Sequence, residues 1–277
     1  MGSVLHNVKY SDRLYIHKFE DIMGKQVENE VFTEQPITTA PEQREEYWFK
    51  NDPIYNLCLH LSYLNTAQEA FGSIAMQIIN NQHIITGIGW NMNVAGESFT
   101  KKRQGYSNHA EFQSLQLAEE LGYDMSNPNI PTYIFSAGRI VQEDTLFLHP
   151  VDYPFTCPKC VKSLSEANPN IYIITPSSDG VWLKTTIADA RRSSKRYKDE
   201  RVSRYDTMSE YISCSDIDIS LTQDKMDRIV KDLEDNGIVI DPVIKEVFLQ
   251  HYEELLNLSP RKRRKIWEDV VCSNNSF

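Results

Sequence analysis

Two short motifs constrain this chain more than anything else in it. The first is His109-Ala110-Glu111 and the second is Cys157-Pro158-Lys159-Cys160. Imidazole nitrogens and cysteine thiolates are favoured zinc donors, and a catalytic zinc site takes three protein ligands and leaves its fourth position to water. His109, Cys157 and Cys160 meet that count. Residues 112–156 lie between the motifs, so a fold that uses both must bring the chain back over that whole stretch. Glu111 sits two residues from a ligand and is left over to move protons. An H-x-E alone carries almost no information, and a C-x-x-C alone indicates zinc or redox chemistry. The ordered pair is the informative unit. The competing readings are a buried structural zinc site, or a C-x-x-C lying by chance beside a core histidine.

Local context agrees with a site built at helix starts. If Asn108 or Ser107 caps a helix, His109 and Glu111 fall in its first turn, where the helix end is electropositive. Phe112, Leu115, Leu117, Ala118 and Leu121 continue that helix, and Gly122 is a fitting stop. Cys160 falls near the start of the next helix, over 160–167, where a thiolate is favoured.

The ordered pair resembles the signature of the zinc-dependent deaminase superfamily that acts on nucleobases. The resemblance covers about residues 55–190 and leans to the cytidine and deoxycytidylate deaminase branch. It implies an α/β fold: a three-layer α/β/α domain with a mixed central sheet. It implies zinc (Zn2+) on His109, Cys157 and Cys160, with Glu111 as the catalytic proton carrier. Zinc so held lowers the pKa of a bound water to roughly 7. It also implies that Asn91, at the end of Gly87-Ile88-Gly89-Trp90-Asn91, and the backbone of Ala110 place the sugar and base. For Asn91 the alternative is a residue that simply starts a loop. The family usually carries proline before the first cysteine, where this chain has Thr156.

The leading functional expectation is hydrolytic deamination of a cytosine-type nucleoside or nucleotide, with cytosine drawn from the family. The alternatives are a deaminase editing single-stranded DNA, RNA or tRNA, and an inactive zinc-containing binding subunit. Members of the superfamily often associate, which implies a homo-oligomer.

Charge bears on that choice. The 277 residues carry a net charge of −10, which argues against a general polyanion binder. Local basic stretches survive the average: Lys101-Lys102-Arg103, residues Arg191–Arg204 and the run Arg261–Lys265. Each reads either as solvated surface or as a phosphate or nucleic-acid contact, and the last also resembles a nuclear-import signal. The five cysteines, Cys58, Cys157, Cys160, Cys214 and Cys272, show no disulfide framework and suggest a reducing compartment. No apolar run approaches the roughly 20 residues that span a bilayer, and no signal peptide is evident. A cytoplasmic protein is expected, nuclear if the Arg261–Lys265 run directs import.

The pattern divides the chain into an N-terminal extension (1–51), the zinc-binding domain (52–192), a basic linker (193–219) and a C-terminal helical module (220–277). Leu57, Leu61, Leu64 and Ala67 predict a helix over 54–72, stopped by Gly72, with Cys58 and His60 in core roles. A hairpin follows, with strands 73–80 and 83–90 around Asn80-Asn81-Gln82. Residues 132–137 predict the central strand, and 138–154 a specificity loop in which His149 is a remote alternative ligand. Residues 171–175 predict a strand, 181–183 its short continuation and 186–192 the start of a helix. Three helices are expected beyond 220, the second starting at Asp241-Pro242 and the third at Ser259-Pro260.

Overall fold

The structure is a computed structural model that describes residues 14–16, 52–65, 69–92, 109–140, 145–147, 157–176, 182–188, 190–191, 212–213 and 219–273. The readings of the N-terminal extension, of Lys101-Lys102-Arg103, of His149, and of Arg191–Arg204 beyond Arg191 fall outside the described residues.

Helix α1 spans Pro53–Ser62. Asp52 caps it, accepting from the Tyr55 amide at 2.8 Å, and its other carboxylate oxygen accepts from Trp182 Nε1 at 2.9 Å. Leu57, Leu61 and Leu64 are buried as their spacing predicts. The helix ends ten residues before Gly72, which lies instead in strand β2, Glu69–Ile79. That glycine serves close packing and not helix termination: a Cβ there would lie 2.0 Å from the Cys58 carbonyl oxygen. Cys58 and His60 are core residues, and His60 Nδ1 lies 2.7 Å from the Asn56 carbonyl.

Strand β3, Gln82–Trp90, pairs antiparallel with β2. Asn80 and Asn81 join them at φ 53° and 61°. Two successive positive φ values are what a tight right-twisted hairpin requires, and asparagine tolerates them well. The register shifts between Ala75 and Met76, which face Gly87 and Ile85. Thr86 is the extra residue, and its hydroxyl donates to the Ala75 carbonyl at 3.3 Å. Such a bulge changes which side chains share a face.

Helix α2 spans Ala110–Glu120 and strand β4 spans Thr132–Ile140. Gly122 follows the helix at φ 88° as the expected stop. The expected loop after residue 137 is partly strand: β4 runs on and pairs with β5, Thr145–Phe147. Helix α3, Pro158–Ala167, leads to β6, Tyr172–Pro176, and β7, Trp182–Thr186. Residues 187, 188, 190 and 191 are helical. Strands β1, Leu14–Ile16, and β8, Ile212–Ser213, are short additions.

Among the described residues the sheet is mixed and nine-stranded, with main order β1-β7-β6-β4-β2-β3 and then a last strand, β9 (Ile238–Ile240). Its directions explain how distant motifs meet. Strands β3 and β4 are each antiparallel to β2, so they run parallel to one another, and β6 is parallel to β4. The connections after β3 and after β4 therefore leave the same edge of the sheet. Helix α2 follows the first; α3 follows the second after the short strand β5, and the starts of the two helices meet at His109, Cys157 and Cys160.

Helices cover both faces, giving three layers. One core cluster joins Ala75, Ile134 and Ile173 of the sheet to Leu115 and Ala118 of α2 and Val161 and Leu164 of α3. The other joins Ile74, Met76, Phe135 and Ile174 to α1 and the C-terminal helices. Neighbouring strand residues split between clusters, as alternation demands.

The C-terminal segment comprises α4 (Gln223–Asp235), β9, α5 (Pro242–Ile244, continued by a π-helical turn over Lys245–Leu249), α6 (Tyr252–Asn257) and α7 (Pro260–Ser273). Met226, Ile229, Val230 and Leu233 are buried as predicted, and Gly237 follows α4 at φ 77°. Asp241 caps α5, accepting from the Val243 amide at 2.8 Å. The expected single helix from 242 is broken at Gln250 and His251. Strand β9 was not expected; it adds parallel to β3 through His83–Ile85. The basic run is largely engaged. Arg264 pairs with Glu268 at 2.6 Å and Lys265 with Asp269 at 2.7 Å, while Arg263 turns inward and is 6% exposed. No helix among the described residues is long and apolar enough to cross a membrane.

Candidate metal centre

The starts of α2 and α3 carry the two motifs. His109 is itself the N-cap of α2, in place of the expected Asn108 or Ser107. Its backbone is extended, and its carbonyl accepts from the Gln113 amide at 3.0 Å, the first helical bond. Ala110 is then the first helical residue and is fully buried. Its N–H is one of the first four, which have no acceptor within the helix.

Two glycines of β3 seat this turn. A Cβ on Gly89 would lie 2.4 Å from the Ala110 carbonyl oxygen, and one on Gly87 would lie 1.9 Å from that of Ser114. Side chains at these positions would lift the start of α2 off the sheet. In the sequence the G-x-G preceded a substrate-type asparagine; its structural work is to let the helix approach. Ser114 bonds back to the Glu111 carbonyl at 2.9 Å and lies 3.3 Å from Ser73 Oγ of β2, fixing the turn from below.

Cys157 is the N-cap of α3, and its sulfur accepts from the Cys160 amide at 3.4 Å. Pro158 occupies the first position, where its missing N–H costs nothing. Cys160 lies one turn in and is 2% exposed.

These elements bring the three predicted ligands together. Cys157 Sγ lies 3.4 Å from His109 Nδ1 and 3.5 Å from Cys160 Sγ. All three donor atoms fall within 4.8 Å of one another, the one such group among the described residues. A tetrahedral ion about 2.3 Å from sulfur and 2.0 Å from nitrogen holds its ligands roughly 3.5–3.8 Å apart. The residues fit a metal of that kind, and the donor set of one imidazole and two thiols suits zinc.

Glu111 is 8% exposed, and its Oε2 lies 3.6 Å from Cys160 Sγ. It touches a ligand yet is not a member of the three-atom group. The two thiols are shifted in opposite directions. The bond from Cys160, and then His109, hold Cys157 down to about 3. The same bond, burial and the Glu111 carboxylate push the Cys160 thiol well above its usual range. A divalent cation reverses that second effect by replacing the proton with charge, and both helix N-termini add positive potential.

Asn91 stands two residues beyond Gly89, at the sheet edge where α2 begins. Its Oδ1 accepts from the Phe71 amide at 3.2 Å, and its own amide donates to the Phe71 carbonyl at 3.2 Å. The side chain therefore ties β3 to β2, and this bond leaves its Nδ2 hydrogens unused. Comparison with family models, characterised proteins and solved structures finds no match for this chain.

Proposed function

We propose that this protein is a zinc-dependent hydrolase that removes the exocyclic amine from a cytosine-type nucleoside or nucleotide. One observation carries the reading: a buried carboxylate, Glu111, lies against the ligand Cys160 without belonging to the ligand group. A purely structural zinc site is closed by a fourth protein ligand and has no use for such a group. His109, Cys157 and Cys160 would hold the ion and leave one position open.

Zinc bound there supplies Lewis acidity that makes water a nucleophile near neutral pH. Glu111 would take one proton from the attacking water and deliver it to the ring nitrogen, then take the remaining proton from the hydroxyl left on the ring carbon and deliver it to the amine, which leaves as ammonia. Its place in the first turn of α2 keeps the carboxylate beside the reacting groups throughout. The Ala110 N–H and Asn91 Nδ2 are donors at the same edge and would orient the base and sugar. The sheet and the two helices exclude bulk water from the carboxylate, which is nearly fully buried.

A polynucleotide substrate has less support. Of the Arg261–Lys265 run, Arg263 is turned inward and Arg264 and Lys265 are paired with acids.

The test is a panel of cytidine, CMP, dCMP, dCTP, guanine, adenosine and short single-stranded DNA and RNA, incubated with zinc-loaded protein. Mass spectrometry reads the exchange of an amino group for oxygen. Turnover of a cytosine monomer is expected. Turnover of oligonucleotides alone would replace the substrate class, and silence across the panel with zinc bound would overturn the enzymatic reading.

A further inference from the structure

We propose that Arg139 of β4 and Arg263 of α7 form a binding site for a phosphate-type oxyanion at the C-terminal end of α1. The site is separate from the metal centre: Arg139 lies on the face covered by α1, whereas α2 and α3 cover the other.

Arg139 is 8% exposed. Its Cζ lies over the Tyr63 ring, 3.8 Å from the centroid, and its buried Nε has no hydrogen-bond partner among the described residues. Arg263 is 6% exposed and donates only to neutral carbonyls: Nε to Leu255 at 2.7 Å, Nη2 to Leu256 at 2.6 Å and Nη1 to Leu64. Tyr63 and Leu64 are consecutive, so the two guanidiniums approach the same turn of chain just past α1. Tyr252 closes the group by donating to the His60 carbonyl at 2.7 Å. No ion pair joins either arginine to an acid among the described residues.

This leaves two positive charges with little to balance them. A guanidinium cannot shed its proton at any physiological pH. A ring face offsets only part of the cost of removing such an ion from water. The end of α1 contributes about half an elementary negative charge. Buried charges are ordinarily paired, and the residual here is close to that of a dianion. Phosphate suits it in shape as well, because guanidinium forks bind phosphate oxygens through parallel N–H bonds. Arg263 belongs to the C-terminal helices, and Arg139 to the strand whose continuation leads to Cys157. An oxyanion held by both would clamp the C-terminal segment to that strand.

The experiment measures thermal unfolding of the full chain in inorganic phosphate and in chloride at equal ionic strength, together with equilibrium dialysis against labelled phosphate. Saturable binding of one phosphate per chain is expected, and so is a midpoint that rises with phosphate by mass action. Arg139→Gln is expected to lose both effects. Equal midpoints in phosphate and chloride, or no saturable binding to the wild-type chain, would overturn the proposal even if the variant failed to fold. Phosphate binding unchanged in Arg139→Gln would place the anion elsewhere, including on the zinc, and would overturn it too.

Discussion

Glu111→Ala is expected to retain one zinc per chain while losing turnover by a factor of about 10²–10⁴, the usual contribution of a positioned proton carrier. Elemental analysis of the purified variant reads the first part, and product mass spectrometry the second. The expectation follows from two distances. The donor atoms of His109, Cys157 and Cys160 lie close together without the carboxylate, and Glu111 Oε2 lies 3.6 Å from the sulfur of Cys160. Removing the carboxylate also removes a negative charge beside a thiol that must ionise to bind metal, so zinc affinity should hold or rise. Loss of zinc in this variant would make Glu111 a ligand and the site a closed one.

The second large effect is expected at Cys157. It is one of the three candidate ligands, the N-cap of α3 and the sulfur that His109 faces. Cys157→Ala removes one of three protein ligands, so zinc should be lost from the purified protein and turnover with it. Loss of the cap adds a stability cost of about 1 kcal/mol, and loss of the ion adds its binding energy. The unfolding midpoint of the variant should therefore fall to or below that of the chelator-treated wild-type protein, and added zinc should not restore it. A variant that keeps full zinc would remove Cys157 from the centre.

How much of this was legible follows from which interactions are local. The turn at Asn80 and Asn81, the buried stripe on α4, the cap at Asp241 and the helix start at Pro260 depend on neighbouring residues, and each is found where the pattern placed it. The grouping of His109, Cys157 and Cys160 was legible because metal sites admit few donor types and the motifs hold three of them. The end of α1 was not, because the apolar spacing of Leu64 and Ala67 continues the helical period and Gly72 mimics a stop. Only the strand passing beneath Cys58 reveals why that glycine is there. Strand β9 is three residues between Gly237 and Asp241, too short for any period, and its partner β3 is remote in sequence. Arg263 sat within a run of cations that read as surface; its burial depends on Leu64, Leu255 and Leu256 offering carbonyls in space. The Gly87 and Gly89 seat was visible as a motif but not as a seat, since the helix it receives lies beyond a long connection.

Zinc K-edge X-ray absorption on the zinc-loaded wild-type chain tests the central claim most directly. The account predicts two sulfur ligands at about 2.3 Å, one imidazole nitrogen at about 2.0 Å and one further oxygen from solvent. A shell of three or four sulfurs, or a second imidazole closing the fourth position, would contradict it and leave Glu111 without a reaction to serve.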